Sequence, residues 1–472
     1  MKKHLLIDGQ WKEAKEYRPL YSPFNNELLA EIAFADAQDV EDAIAAAEKA
    51  RPVMAKMPAH QRASILEKLV ELLTKNEEEC TRLLALEAAK PWTTAKAEVA
   101  RTIMTYKFAA EEARRIHGET IPMDAAPGGE GRISFTIKQP LGVVAAITPF
   151  NFPMNLVAHK VGPAIAAGNT VVLKPASQTP LTSIFLAELL LEAGLPAGAL
   201  NVVTGSGSMI GDILIQDDRV KVITFTGSPA VGIGIRNKAG LKRVTLELGS
   251  NSALIVDKGV DVDSIIPRTV TGAFSFAGQV CISLQRAYVH EELYEEFVEK
   301  FVAQTKKLKL GNPLDPETDV SAVISPKDAE RALSWIEEAR QSGAVVAAGG
   351  GREGNIVEPT VLINVDPQQK VSCQEVFAPI VLINKVSSVE EAIRFVNDSR
   401  YGLQAGIYTN DIFKALNAAE ELEVGGVMIN DIPTFRVDHM PYGGVKESGV
   451  GREGLKYAIE EMTEMKLISI KK

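Results

Sequence analysis

Val143-Val-Ala-Ala-Ile147, Thr170-Val-Val-Leu173, Leu200-Asn-Val-Val203 and Val222-Ile-Thr-Phe225 are short apolar runs, and residues 157–167 and 181–193 between them read as helices. Strand–helix alternation at this spacing predicts βαβ units on a parallel sheet. The same rhythm resumes downstream, with a strand at 252–256, a helix near 264–276, a strand at 287–289, a helix from Glu291 and further alternation to about residue 430. Two such series predict two α/β lobes with a cleft between them.

The flanks differ. Residues 37–118 carry apolar positions at helical spacing with charged faces between them. Pro122, Pro127, Gly128, Gly129 and Gly131 then break the pattern before Arg132-Ile-Ser-Phe-Thr-Ile-Lys138, which alternates as a half-exposed strand does. The tail from Thr463 to Ile470 alternates again, as an edge strand would, and the chain has neither internal repeats nor low-complexity segments.

Composition narrows the function classes. The 472 residues are 46% hydrophobic and 24% charged, an ordinary globular balance large enough for two or three domains. A net charge of −10 argues against nucleic acid or an anionic membrane as the main partner. The stretch Leu141 to Leu173 is interrupted by Asn151, His159 and Lys160, so no membrane span is expected, and the apolar run near the N-terminus is too short for a signal peptide. Three cysteines do not make a disulfide framework, and with six histidines at no ligand spacing no metal site is expected. These features predict a cytoplasmic protein.

Five places could carry chemistry. Cys281, in Phe274-Ser-Phe-Ala-Gly-Gln-Val-Cys281, reads either as a small buried hydrophobe or as a nucleophile beside a glycine that allows close approach. Glu247, in Val244-Thr-Leu-Glu-Leu-Gly249, is either a paired carboxylate or a general base with a raised pKa. Asn151 follows a strand and is either a turn residue or an amide donor to a developing oxyanion. Lys174 and Gly227-Ser228 close two strands, where α/β sheets bind nucleotides, although no clear G-x-G-x-x-G is present.

Pro149-Phe-Asn-Phe-Pro153, Lys174-Pro175, Phe225-Thr-Gly-Ser228, Glu247-Leu-Gly249, Gly278-Gln-Val-Cys281, Glu375-Val-Phe-Ala-Pro379 and Pro441-Tyr-Gly-Gly-Val-Lys-Glu-Ser-Gly449 follow one another along nearly the whole chain. Together they resemble the aldehyde dehydrogenase superfamily. The resemblance implies a Rossmann-like cofactor domain, an α/β catalytic domain and a small β oligomerisation element. It implies that Cys281 attacks the aldehyde, that Asn151 and the Cys281 backbone N–H hold the oxyanion, and that Glu247 activates water to hydrolyse the thioester. NAD or NADP would be held by Thr148, Pro149, Lys174, Ser177, Gly227, Ser228, Glu375 and Phe377. A carboxylate at position 247 implies water as acyl acceptor, since coenzyme A-acylating members lack it. Ser250 stands where the family usually has a second glycine, and Ser177 where strictly NAD-specific relatives often carry glutamate.

The segments 149–160, 430–442 and 451–462 resemble the lactaldehyde dehydrogenase-like branch, close to the non-phosphorylating glyceraldehyde-3-phosphate dehydrogenases. Arg101 and Arg436 are candidate substrate-binding residues, whereas Val280 and Phe152 stand where the phosphate-binding relatives place an arginine and a tyrosine. Fewer charge-assisted donors predict a small polar or singly anionic aldehyde, lactaldehyde first, with succinate semialdehyde, glyceraldehyde 3-phosphate and sulfonated or phosphonated short aldehydes as alternatives. Arg101 could instead form a helix-surface pair with Glu98, while Arg436 lies two residues from Asp438. The expected division is 1–122 with 141–248 for the cofactor, 249–432 for catalysis, and 123–140 with 433–472 as the bridge. Open bridge strands predict a homodimer or homotetramer. The rival readings are a cysteine hydrolase or acyltransferase pairing Cys281 with His159 or His290, and a structural member without catalysis; the latter would be expected to lose Cys281 or Glu247.

Overall fold

The computed structural model describes residues 1–472. An eight-stranded sheet carries the first α/β series. Val143–Ile147, Thr170–Lys174 and Leu200–Val202 run parallel on one side, and Val220–Thr226 and Arg243–Glu247 continue parallel on the other. Val143–Ile147 and Thr170–Lys174 are buried throughout, which is why they read as continuous apolar runs. The chain order reverses between Val143–Ile147 and Val220–Thr226. A crevice opens at such a switch point, beyond the carboxyl ends of the strands.

The segment read as helical resolves into Ala37–Lys56, Ala59–Lys75, Glu77–Ala88 and Trp92–Ala113. The last packs on the wholly buried helix Asn155–Ala167, which ends at Gly168 with φ +87°. The second series forms a seven-stranded sheet in which Ala253–Val256 runs parallel between Arg286–His290, the central strand, and Gln404–Tyr408. Each sheet has its own apolar core.

Arg132–Pro140 and Thr463–Lys471 pair antiparallel along their whole length, from Thr463 with Pro140 to Lys471 with Arg132, and Thr120–Ile121 completes a three-stranded sheet. Of the residues grouped with that tail in the sequence, Gly449–Val450 instead pairs with Arg243–Glu247 at the edge of the first sheet, and Leu455–Glu461 packs on Asn155–Ala167. No helix is long and apolar enough to cross a membrane.

Candidate active site

Cys281 is presented by a tight turn. The short 3-10 segment Ser275–Gly278 follows the helix Val262–Phe274, and Phe276, Ala277 and Gly278 all adopt left-handed φ values of +49°, +52° and +67°. A side chain at Gly278 would place its Cβ 2.2 Å from the Ala378 carbonyl oxygen, so the close approach requires glycine. The turn closes with Ser283 N–H donating to Val280 O at 2.9 Å, and the backbone N–H of Cys281 donates to no protein acceptor.

Asn151 and Glu247 come to the same place from ends of the first sheet. Asn151 lies beyond Val143–Ile147, and Glu247 ends Arg243–Glu247 opposite Thr226. The Asn151 amide nitrogen donates to Gln279 O at 3.0 Å, which ties this loop to the turn bearing Cys281. Cys281, Asn151 and Glu247 line one cavity of about 190 Å³ together with Phe152, Val280, Arg101 and Arg436. The cavity therefore gathers all seven catalytic and substrate residues expected from sequence.

Electrostatics distinguish these groups. Both Glu247 carboxylate oxygens are buried without a hydrogen-bond partner. Burial, and then repulsion from Glu453, push its pKa well above the ordinary carboxylate range. Burial disfavours the Glu453 carboxylate too, but Lys160 and Arg436 outweigh it and hold that group low. Cys281 is half-buried, and burial followed by the charges of Glu375 and Glu247 raises its thiol pKa.

The two arginines both line the cavity and pair with carboxylates distant in sequence. The surface pair between Arg101 and Glu98 does not form, because Glu98 turns into the core, where it bonds Lys90 and accepts from the backbone N–H groups of Met154 and Asn155. Arg101 instead forks onto Asp438. Arg436 pairs with Glu453 at 2.9 Å, stacks 3.7 Å from the Tyr442 ring centroid, and keeps its Nε buried without a partner. His159 bonds Asp438 through Nε2 at 2.9 Å, and His290 accepts from Glu292 N–H through Nδ1. Neither histidine forms the pair that a cysteine hydrolase needs.

A second cavity of about 570 Å³ lies at the sheet's switch point and is lined by Thr148, Pro149, Lys174, Ser177, Gly227 and Ser228. Thr226 borders both cavities. Its residues suit a dinucleotide. Buried Lys174 donates only to Pro175 O, and burial lowers its pKa to about 8, so an acceptor beside it would be welcome. Ser228 heads the helix Pro229–Lys238 without capping it by its side chain, leaving backbone donors for phosphate oxygens. The Ser177 hydroxyl bonds Gly205 O at 2.9 Å and presents no carboxylate against a 2′-phosphate.

Glu375 and Phe377 lie outside both linings. Glu375 accepts from Ser250 N–H at 3.0 Å, and burial raises its pKa to about 7. Phe377, at φ +49°, meets Phe150 edge-on at 5.7 Å. The Ser250 hydroxyl bonds that of Ser252 at 3.0 Å, so the serine is absorbed while its backbone still holds Glu375. Lys90, Glu98, Tyr442 and Glu453 are buried around the pocket, and sequence reading gives none of them a role there. Local sequence carries no signal for them: Glu98 in Lys96-Ala-Glu-Val-Ala-Arg101 and Glu453 in Gly451-Arg-Glu-Gly454 look like surface charge.

The family relationship agrees with this geometry. The sequence model of the Aldehyde dehydrogenase family matches residues 11–468. The 3-sulfolactaldehyde dehydrogenase of Priestia aryabhattai is 49% identical over 464 residues, covering 98% of this chain and 97% of that protein. The lactaldehyde dehydrogenase of Methanococcus maripaludis strain C5 is 43% identical over 470 residues, 99% of each. Among solved structures, the glyceraldehyde-3-phosphate dehydrogenase GapN of Methanocaldococcus jannaschii, complexed with NADP, superposes with a TM-score of 0.94 at 41% identity, covering 97% of this chain and 100% of that one. A family match over residues 11–468 and relatives of this identity along the whole chain show that it belongs to the aldehyde dehydrogenase family.

Proposed function

We propose that the protein is a cytoplasmic enzyme that oxidises a small 2-hydroxyaldehyde of the lactaldehyde type to its carboxylic acid with NAD or NADP. The observation that carries this reading is Glu247, whose two unpartnered oxygens are buried beside the cavity that holds Cys281. The Cys281 sulfur, as thiolate, adds to the aldehyde carbon, and the carbonyl electron pair moves onto oxygen. The Asn151 amide and the free Cys281 backbone N–H donate to that oxyanion. When bound, the dinucleotide supplies the acceptor for the hydride that leaves this carbon. Lys174, Ser177, Ser228 and Glu375 are the residues that would hold it. Glu247 then takes a proton from water, the water oxygen bonds to the thioester carbon, and the carbon–sulfur bond breaks to release the acid and restore the thiolate.

Pocket size and charge support a short substrate. Val280 and Phe152 offer no phosphate donors, and Arg101 and Arg436 already face Asp438 and Glu453. A second reading, with 3-sulfolactaldehyde, draws on the unpartnered Arg436 Nε, which could serve a sulfonate oxygen, and on the 49% identity to an enzyme named for that substrate. The test is kcat/KM for lactaldehyde, 3-sulfolactaldehyde, succinate semialdehyde and glyceraldehyde 3-phosphate with each cofactor. The first two should lead; preference for the phosphorylated aldehyde would overturn the reading of Val280 and Phe152.

Residues 1–122 and 141–248 are assigned to the dinucleotide, 249–432 to the nucleophile, and 123–140 with 433–472 to the bridge, with Gly449–Val450 lending an edge strand to the first. Ile133, Met465, Leu467 and Ile470 are about half-exposed on the bridge, which supports a homodimer or homotetramer. Sedimentation as a monomer at micromolar concentration would contradict that assembly.

A further inference from the structure

Lys90 is fully buried between the two segments that meet at the active site. Its ammonium donates to the Asn151 backbone carbonyl at 2.6 Å and is paired with the equally buried Glu98. It also lies 3.8 Å from the centroid of the Phe152 ring and 4.2 Å from that of Phe276. Phe152 adjoins Asn151 in the first lobe, and Phe276 sits in the left-handed turn that presents Cys281 in the second. Glu98 fixes the other end of the Asn151 segment, accepting from Met154 and Asn155 N–H at 3.0 and 3.1 Å. One buried cation thus touches the carbonyl of the oxyanion residue and the ring beside the nucleophile's turn.

We propose that Lys90, with Glu98, is a positioning residue that sets the register of the Asn151 amide against the Cys281 turn. This rests on the proposed oxyanion role of Asn151. The link differs from ordinary core packing in what it joins. Asn151 already reaches across to Gln279 O, two residues before Cys281, with one amide proton, leaving the other for the substrate oxygen. The direction of that second N–H depends on where the Asn151 backbone stands, and Lys90 is bonded to that backbone. A buried ammonium is costly to keep, and a cation held between two rings and two oxygens is restrained on every side.

The test compares aldehyde oxidation with alkylation of Cys281 by iodoacetamide, a reaction that develops no oxyanion. The variant Lys90→Met/Glu98→Gln removes both charges, shortening position 90 by one atom and keeping the length of position 98. Its kcat should fall at least tenfold, with KM and alkylation rate within about twofold of the parent. Lys90→Met introduced into Asn151→Ala should add little to the loss already present, because both act through one amide. If the Lys90 variants do not fold, Phe276→Leu loosens the same cation without uncovering a charge and should lower kcat in the same selective way. An unchanged kcat, a parallel fall in alkylation and oxidation, or additive losses in the Asn151→Ala background would overturn the proposal. A parent protein that oxidises no aldehyde would instead defeat the proposed function itself.

Discussion

Arg101 and Asp438 meet in a two-bond fork at the wall of the substrate cavity, Nη2 to Oδ1 at 2.7 Å and Nε to Oδ2 at 3.2 Å. Asp438 Oδ1 also accepts from Asn155 at 3.0 Å and His159 at 2.9 Å. Burial opposes ionisation of Asp438, but His159 and Arg101 outweigh it and hold the carboxyl far below its usual range. A depressed native pKa contributes stability that is present above the unfolded value of about 3.9 and is lost as pH falls toward the native one. Asp438→Asn should therefore cost about 3 kcal/mol in urea unfolding at pH 7, and the gap to the parent should shrink at pH 3. An equal gap at both pH values would count against the ion cluster.

Glu247→Gln should leave a burst of reduced cofactor equal to the active-site concentration, followed by turnover slowed about a hundredfold or more, read by stopped-flow absorbance. Burial and Glu453 raise the Glu247 pKa, and only its ionised form can take a proton from water. The parent's hydrolytic step should therefore slow as pH drops through a value well above 4.5, the ordinary pKa of this side chain. Loss of the burst along with turnover would place Glu247 in an earlier step.

Cys281 offers a gentler charge test. Burial is the first cause of its raised thiol pKa, and Glu375 the second. In the cofactor-free protein, Glu375→Gln should speed iodoacetamide alkylation at pH 8 by roughly two- to fivefold, since one neighbouring negative charge is gone. Slower alkylation would mean that Glu375 shapes the turn more than it charges it.

Gly278→Ala should remove activity and destabilise the protein by about 1–3 kcal/mol, the cost of a strained left-handed residue, with the Ala378 clash adding to it. Thermal unfolding and turnover measured together check this. Full activity would show that the turn can shift without moving Cys281.

Sequence exposed the parts of this site that local chain geometry creates. Asn151, Lys174, Ser228 and Glu247 stand at strand ends, where apolar runs stop, and Cys281 follows a glycine that marks a tight turn. Partners brought together only by folding were hidden. Lys90 lies 61 residues from Asn151, and Asp438 lies 337 from Arg101. Arg436 stands two residues from Asp438 in sequence but pairs with Glu453, seventeen residues on, because the intervening chain folds back on itself. Within the first 36 residues, the strands Lys2–Lys3, Leu5–Ile7 and Gln10–Lys12 are too short for a period of two to show.

The most direct test of the central claim is intact-protein and peptide mass spectrometry of Glu247→Gln mixed with lactaldehyde and NAD or NADP, then quenched in acid. The expected result is one acyl group per chain on the peptide containing Cys281, with an equal amount of reduced cofactor and neither product in Cys281→Ala. Reduced cofactor formed by Cys281→Ala, or an acyl group on any other residue, would contradict the account.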